Sequence, residues 1–148
     1  MTDATFTRVT DQLKTHEGFR SKPYRDTVGK LTIGYGRNLD DVGISREEGE
    51  ALLSNDVHKA FAAVAVKVKN FGALTEARQA CLVNMAFNMG INGLLKFQKM
   101  LAAIEVGDFE SAAQSMLSSL WFQQVGLHRA EGLIAQMRTG MWREEQTK

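Results

Sequence analysis

The chain has one cysteine among its 148 residues, and that scarcity excludes a whole class of cross-link. A lone Cys81 can form no internal disulfide, which fits folding in a reducing cytoplasm. It lies among Ala77, Ala80, Leu82 and Met85 on a helical pattern, so it reads as a small buried hydrophobe rather than a reactive thiol. Charge of one sign is also missing. Eighteen Lys+Arg against seventeen Asp+Glu leave a formal charge of +1 with no long run of either sign, so there is little drive toward nucleic acid. No apolar run approaches the ~20 residues of a membrane span. The start MTDATFTRVT lacks both the basic and the apolar region of a signal peptide, so no stable membrane insertion is expected. His16, His58 and His128 stand apart without cysteine partners or ligand spacing, and no metal or other cofactor is implied.

The chain is rich in helix signals. Hydrophobic residues make up 44% of it, enough for one substantial core and too few residues for two ordinary domains. Phe6, Val9 and Leu13 share a helical face that stops at Gly18, read as a left-handed glycine cap. Ser45 and Glu48 form a capping box before Leu52, Leu53, Val57, Phe61, Val64 and Val68, one face of a long helix. Thr75 opens a helix that is apolar nearly all round and ends at Gly90, as the central helix of a bundle does. Shorter helices are expected over 94–106, 108–118 and 127–138, with Gly93, Gly107 and Gly126 as punctuation and a frayed polar tail over 144–148. No repeat, linker or low-complexity stretch interrupts them.

The chemistry is concentrated in HEGFRSKPYRDTVGKLTIGYG. Glu17 falls in the last turn of its helix, where the partial negative charge of the carbonyl end suits a carboxyl that must hold a proton. Asp26 starts the turn Asp26-Thr27-Val28-Gly29-Lys30, and the returning strand is expected over Leu31 to Gly36. Alternation then puts Thr32, Gly34 and Gly36 on one nearly bare face, where a ligand fits against the backbone and the Thr32 hydroxyl positions a water with Asp26. A proton-holding glutamate beside an ionised carboxylate is what glycoside hydrolysis requires. Taken singly, each residue has a plainer reading. Asp26 simply initiates its turn, Thr32 is an ordinary strand residue, and the glycines mark a bulge.

In this combination the chain resembles the phage-type (T4-type) lysozymes and endolysins of glycoside hydrolase family 24. Glu17-Gly18, then Asp26, then Thr32-Ile33-Gly34-Tyr35-Gly36 match that family's signature. The likeness continues through Ala80 to Gly90, Trp121-Phe122 and Arg129 to Trp142. It implies an α+β, mainly helical, lysozyme-like fold. A small antiparallel β-hairpin lobe (about 18–44) and a larger helical lobe (about 1–17 and 70–148) would be joined by a long helix (about 45–69), with the active-site cleft between them. It implies a muramidase acting on the β-1,4 bond between N-acetylmuramic acid and N-acetylglucosamine of bacterial peptidoglycan. In that scheme Glu17 is the general acid, and Asp26 and Thr32 hold the hydrolytic water. The inverting outcome usual for the family needs carboxyls roughly 6.5–9.5 Å apart. Gly34, Tyr35, Phe87, Asn88 and Arg129 match substrate-binding or supporting positions. A monomer is implied that accumulates in the host bacterial cytoplasm and reaches the wall at lysis with the help of a holin.

Two departures stand out. Only Arg37 to Ile44 separate Gly36 from the next helix, so the sheet lobe should be small, and Arg37 replaces a histidine beside the catalytic hairpin. The near-neutral charge leaves most of the affinity for an anionic wall to groove contacts. Calcium-loop, selectivity-filter and dinucleotide readings of the hairpin fail for want of oxygen ligands, membrane helices and a third glycine. Two other functional readings remain: a wall-binding module that does not cut, and the same hydrolase as part of an injection machine or bacteriocin.

Overall fold

A computed structural model describes residues 1–146. Contacts divide the backbone into two compact units, residues 1–51 and the residues from Leu52 onward. The first holds helix α1 (Asp3–Glu17) and strands β1 (Arg20–Arg25), β2 (Leu31–Gly34) and β3 (Arg37–Asn38). Thr2 caps α1 by accepting from the Thr5 N–H, and Phe6, Val9 and Leu13 remain exposed along its side. The helix stops at Gly18 with φ 68° and ψ 161°. The expected positive φ is present, but ψ is extended rather than left-handed helical, because the chain passes directly into β1.

The sheet is a three-stranded antiparallel meander in the order β1-β2-β3, one strand more than the expected hairpin. Tyr24 pairs with Thr32 and Arg20 with Gly34, with an irregular register between them. Pro23 falls in that irregular stretch of an edge strand, a place that does not ask it for a ladder N–H. The expected strand over 31–36 ends at Gly34, since Gly34 (φ 68°) and Gly36 (φ 76°) turn the chain around Tyr35. Thr32, Gly34 and Gly36 therefore do not form one continuous strand face. In β3, Arg37 pairs with Ile33 and Asn38 with Thr32, which leaves Thr32 central and 3% exposed.

Helix α2 (Arg46–Lys67) begins with the predicted capping box: the Glu48 N–H donates to Ser45 Oγ at 3.1 Å and the Ser45 N–H to Glu48 Oε2 at 3.2 Å. The same carboxylate takes the Arg37 fork, with Nη2 donating to Oε1 at 2.8 Å and Nη1 to Oε2, while Nη1 also donates to the Gly43 carbonyl. Arg37 thus ties β3 to the start of α2. Its hydrogen bond, then that of Ser45, holds the Glu48 carboxyl below its ordinary 4.5. A depressed folded-state value means the stabilisation is present above the ordinary carboxylate range and is lost as pH falls through the folded value. Glu48→Gln should therefore lower Tm at pH 6–7, and the two proteins should converge in melting scans carried below pH 4. A gap that persists in acid would contradict this.

The second unit contains the core. After α2 and a short 3-10 turn (Phe71–Ala73) come α3 (Glu76–Leu95), α4 (Gln98–Glu105), α5 (Phe109–Leu117), α6 (Leu120–Gln124), α7 (Leu127–Thr139) and α8 (Arg143–Gln146). Thr75 caps α3, which buries Ala77, Cys81, Leu82, Met85, Ala86 and Leu94 as a bundle's central helix does. The predicted stop at Gly90 is a break (φ 77°, ψ 162°), after which the chain resumes helix to Leu95. That resumption displaces α4, expected over 94–106, to begin at Gln98, and puts Gly93 inside a helix. Of the α2 face, Val64 and Val68 are buried while Leu52, Leu53, Val57 and Phe61 are exposed. Cys81 is wholly buried and donates to the Leu133 carbonyl, and burial pushes its thiol up to about 12. The short α6 and α8 answer no expectation; α8 replaces the fraying expected over 144–146, and residues 147–148 lie outside the described ones.

Candidate active site

The sheet unit carries Glu17, Asp26 and Thr32. Asp26 holds its turn together: Oδ1 accepts from the Val28 N–H at 3.0 Å and the Lys30 N–H at 2.8 Å. Its own N–H donates to the Lys30 carbonyl at 2.9 Å. The plain turn-initiating role thus exists, and it occupies one carboxylate oxygen. Among the described residues Oδ2 has no hydrogen-bond partner. The Thr32 hydroxyl donates to the carbonyl of the same Lys30 at 2.9 Å. Its one proton is committed, so it can meet a further ligand only as an acceptor.

Loop residues steady this arrangement. The Leu31 N–H donates to Asp40 Oδ2 at 2.8 Å, and Lys30 Nζ reaches Asp41 at 3.0 Å. The Lys30 and Asn38 bonds hold Asp41 below the usual carboxylate range. Tyr35 is half exposed at the turn, with Phe19 stacked obliquely at 5.2 Å. Glu17 ends α1 with its carboxyl against Gly36.

The helical unit carries Phe87, Asn88 and Arg129. Phe87 is 44% exposed and so lies outside the buried core. Arg129 makes no surface ion pair among the described residues. Its Nε and Nη2 both donate to Asn84 Oδ1, at 3.2 and 2.7 Å. Asn84, unmarked in the sequence reading, therefore sets the guanidinium's direction. Its signal was there: an amide one helical turn before Asn88, in an otherwise apolar stretch. Asn88 and Arg129 line a groove of about 890 Å³ with Lys96, Phe97, Gln124 and Trp121. The Trp121 indole N–H is buried there with no partner among the described residues. Phe87 and Arg129 also line a depression of about 330 Å³.

The phage lysozyme family model matches residues 14–139. The chain belongs to the phage lysozyme family. The family resemblance, the α+β class and the lysozyme class of activity are borne out by that match. Relatives are of several kinds. The pre-baseplate central spike protein Gp5 of Enterobacteria phage T4 is 31% identical over 144 residues, covering 78% of this chain and 25% of the spike. The probable T4-type lysozyme 1 of Dictyostelium discoideum is 29% identical, with 89% and 94% covered. An endolysin of Acyrthosiphon pisum secondary endosymbiont phage 1 is 29% identical, with 71% and 72% covered. This phage-lysozyme chain thus spans a quarter of the spike protein and most of the other two. Among the described residues, no helix is long and apolar enough to cross a membrane.

Proposed function

We propose that the chain is a muramidase hydrolysing the β-1,4 bond between N-acetylmuramic acid and N-acetylglucosamine in bacterial peptidoglycan. The observation that carries this is the double use of Lys30. One residue's N–H fixes Asp26 and its carbonyl fixes Thr32, so an anionic and a neutral acceptor are held by the same peptide segment. A water donating one hydrogen to Asp26 Oδ2 and the other to Thr32 Oγ1 keeps a lone pair for the anomeric carbon. Asp26 takes the proton as the carbon–oxygen bond forms, and Glu17 gives its proton to the departing glycosidic oxygen. The outcome is inversion, with no cofactor and no covalent sugar intermediate. Gly34, Tyr35, Phe87, Asn88 and Arg129 contact the saccharide or support the acid.

The biological setting belongs to the same proposal: a monomer made in the host bacterial cytoplasm and delivered to the wall at lysis by a holin. A second reading, a wall-cutting domain of an injection machine, draws on the 31% identity to a baseplate spike protein. The chemistry is common to both.

The test is clearing of outer-membrane-stripped Gram-negative peptidoglycan, with identification of the new reducing-end sugar. Muramic acid at that end supports the muramidase; tight wall binding without clearing favours a binding module and overturns it. Asp26→Asn keeps an oxygen for Val28 and Lys30 while removing the base, and should lose on the order of 10²-fold or more in rate. Thr32→Ala should lose less, because a second water can stand in for the hydroxyl. Near-normal rates from both variants would refute the water site.

A further inference from the structure

The carboxylate of Glu17 has no hydrogen bond or ion pair among the described residues, so contact alone places it. One such contact is with Gly36. A Cβ built there would lie 2.7 Å from Glu17 Oε2, 2.9 Å from Cδ and 3.3 Å from Cγ. Those distances are inside the ~3.5–4.0 Å optimum for non-bonded carbon atoms. The other positive-φ glycines of the sheet unit have room: nothing lies within 4 Å of a Cβ at Gly18, Gly29 or Gly34, and Gly43 meets only the Leu39 carbonyl at 4.0 Å. Gly36 is thus asked for twice, by its φ of 76° and by the acid packed on it.

We propose that Gly36 is a positioning residue for the proton donor. Its missing side chain is the notch in which the Glu17 carboxyl rests, and any Cβ displaces that carboxyl from the glycosidic oxygen. The inference rests on Glu17 being the donor, as proposed above.

The full chain tests it through two variants. Gly36→Ala adds both backbone strain and the Cβ. Gly36→Asn adds the same Cβ on a residue that accepts positive φ more readily, so it keeps the test available if the alanine variant folds poorly. Gly43→Ala, at φ 65° with open space, supplies strain alone. Both Gly36 variants should lose on the order of 10²-fold in kcat with KM within about threefold, the cost of misplacing a reacting group by about an ångström. Gly43→Ala should show a comparable Tm loss with kcat little changed.

A double-variant cycle with Glu17→Asp identifies the route of the effect. Aspartate withdraws the carboxyl by one methylene, so adding Gly36→Ala to Glu17→Asp should cost little further rate. A merely structural role would cost the same factor in both backgrounds. Folded Gly36→Asn with wild-type kcat, or equal factors in the two backgrounds, overturns the inference while an inactive Glu17→Gln leaves the muramidase reading standing. A fully active Glu17→Gln overturns that reading itself.

Discussion

Glu17→Gln is expected to lower the rate of wall clearing on the order of 10³-fold or more, the upper part of what a positioned general acid contributes. Glutamine has the same shape and differs in what matters here, having no acidic proton to give. The substitution should leave the fold alone. Glu17 lies at the last position of α1, makes no hydrogen bond or ion pair among the described residues, and is exposed. Calorimetry should therefore find Tm nearly unchanged while turnover disappears. That combination separates chemistry from stability, since an unfolded variant loses both. Wild-type clearing by Glu17→Gln would remove Glu17 from the mechanism.

Arg78→Ala should produce the largest loss of stability from a polar side chain. Arg78 leaves α3 and closes the far end of α7. Its Nε donates to the Met137 carbonyl at 2.8 Å and its Nη2 to the Arg138 carbonyl at 3.0 Å. The last carbonyls of a helix have no partner within it, so these two charged bonds supply what α7 cannot. The guanidinium also lies 3.5 Å from the Phe109 ring centroid on α5, so one side chain joins three helices. Burial lowers the guanidinium's pKa from its ordinary value. Gly140 closes α7 with φ 72°, and a Cβ there would lie 2.8 Å from Arg78, which shows how closely the end is wrapped. Truncation removes two charge-assisted bonds and a cation–π contact, about 3 kcal/mol together and roughly 10 °C in Tm. Arg78→Lys should recover a small part, because an ammonium cannot serve two carbonyls and stack on a ring at once. A Tm within two degrees of wild type for Arg78→Ala would show that water replaces the guanidinium without loss.

These two residues mark what is legible in the chain and what is not. Glu17, the Ser45–Glu48 box and the Gly90 break are readable because each rests on chemistry within a few residues: a helix end, a reciprocal cap, a backbone angle. The family signature adds the spacing of Asp26 and Thr32. Arg78 carries no such sign, since its partners lie 59 and 60 residues away and an arginine near a helix start reads as solvated. Strand β3 escaped for a different reason. Two residues, Arg37 and Asn38, are too few to show alternation, and what makes them a strand is the turn at Gly34 and Gly36 that brings them beside β2. Strict alternation puts those glycines on one bare face only if the strand continues, and it does not. In sequence Arg37 is a lost histidine, whereas in the folded chain it gains a partner, Glu48, whose carboxylate is already held in the helix cap.

Lys30 grips Asp26 and Thr32 with its main chain and turns its own side chain toward Asp41. The main-chain hold on the proposed water site is thereby independent of the side chain at its centre. A substitution at Lys30 gives up the side-chain bond to Asp41 but keeps the main-chain bonds to both Asp26 and Thr32. Proline is the exception, since it brings no N–H for Asp26. Position 30 is therefore a place where a reporter group can be attached within a residue or two of the proposed water site.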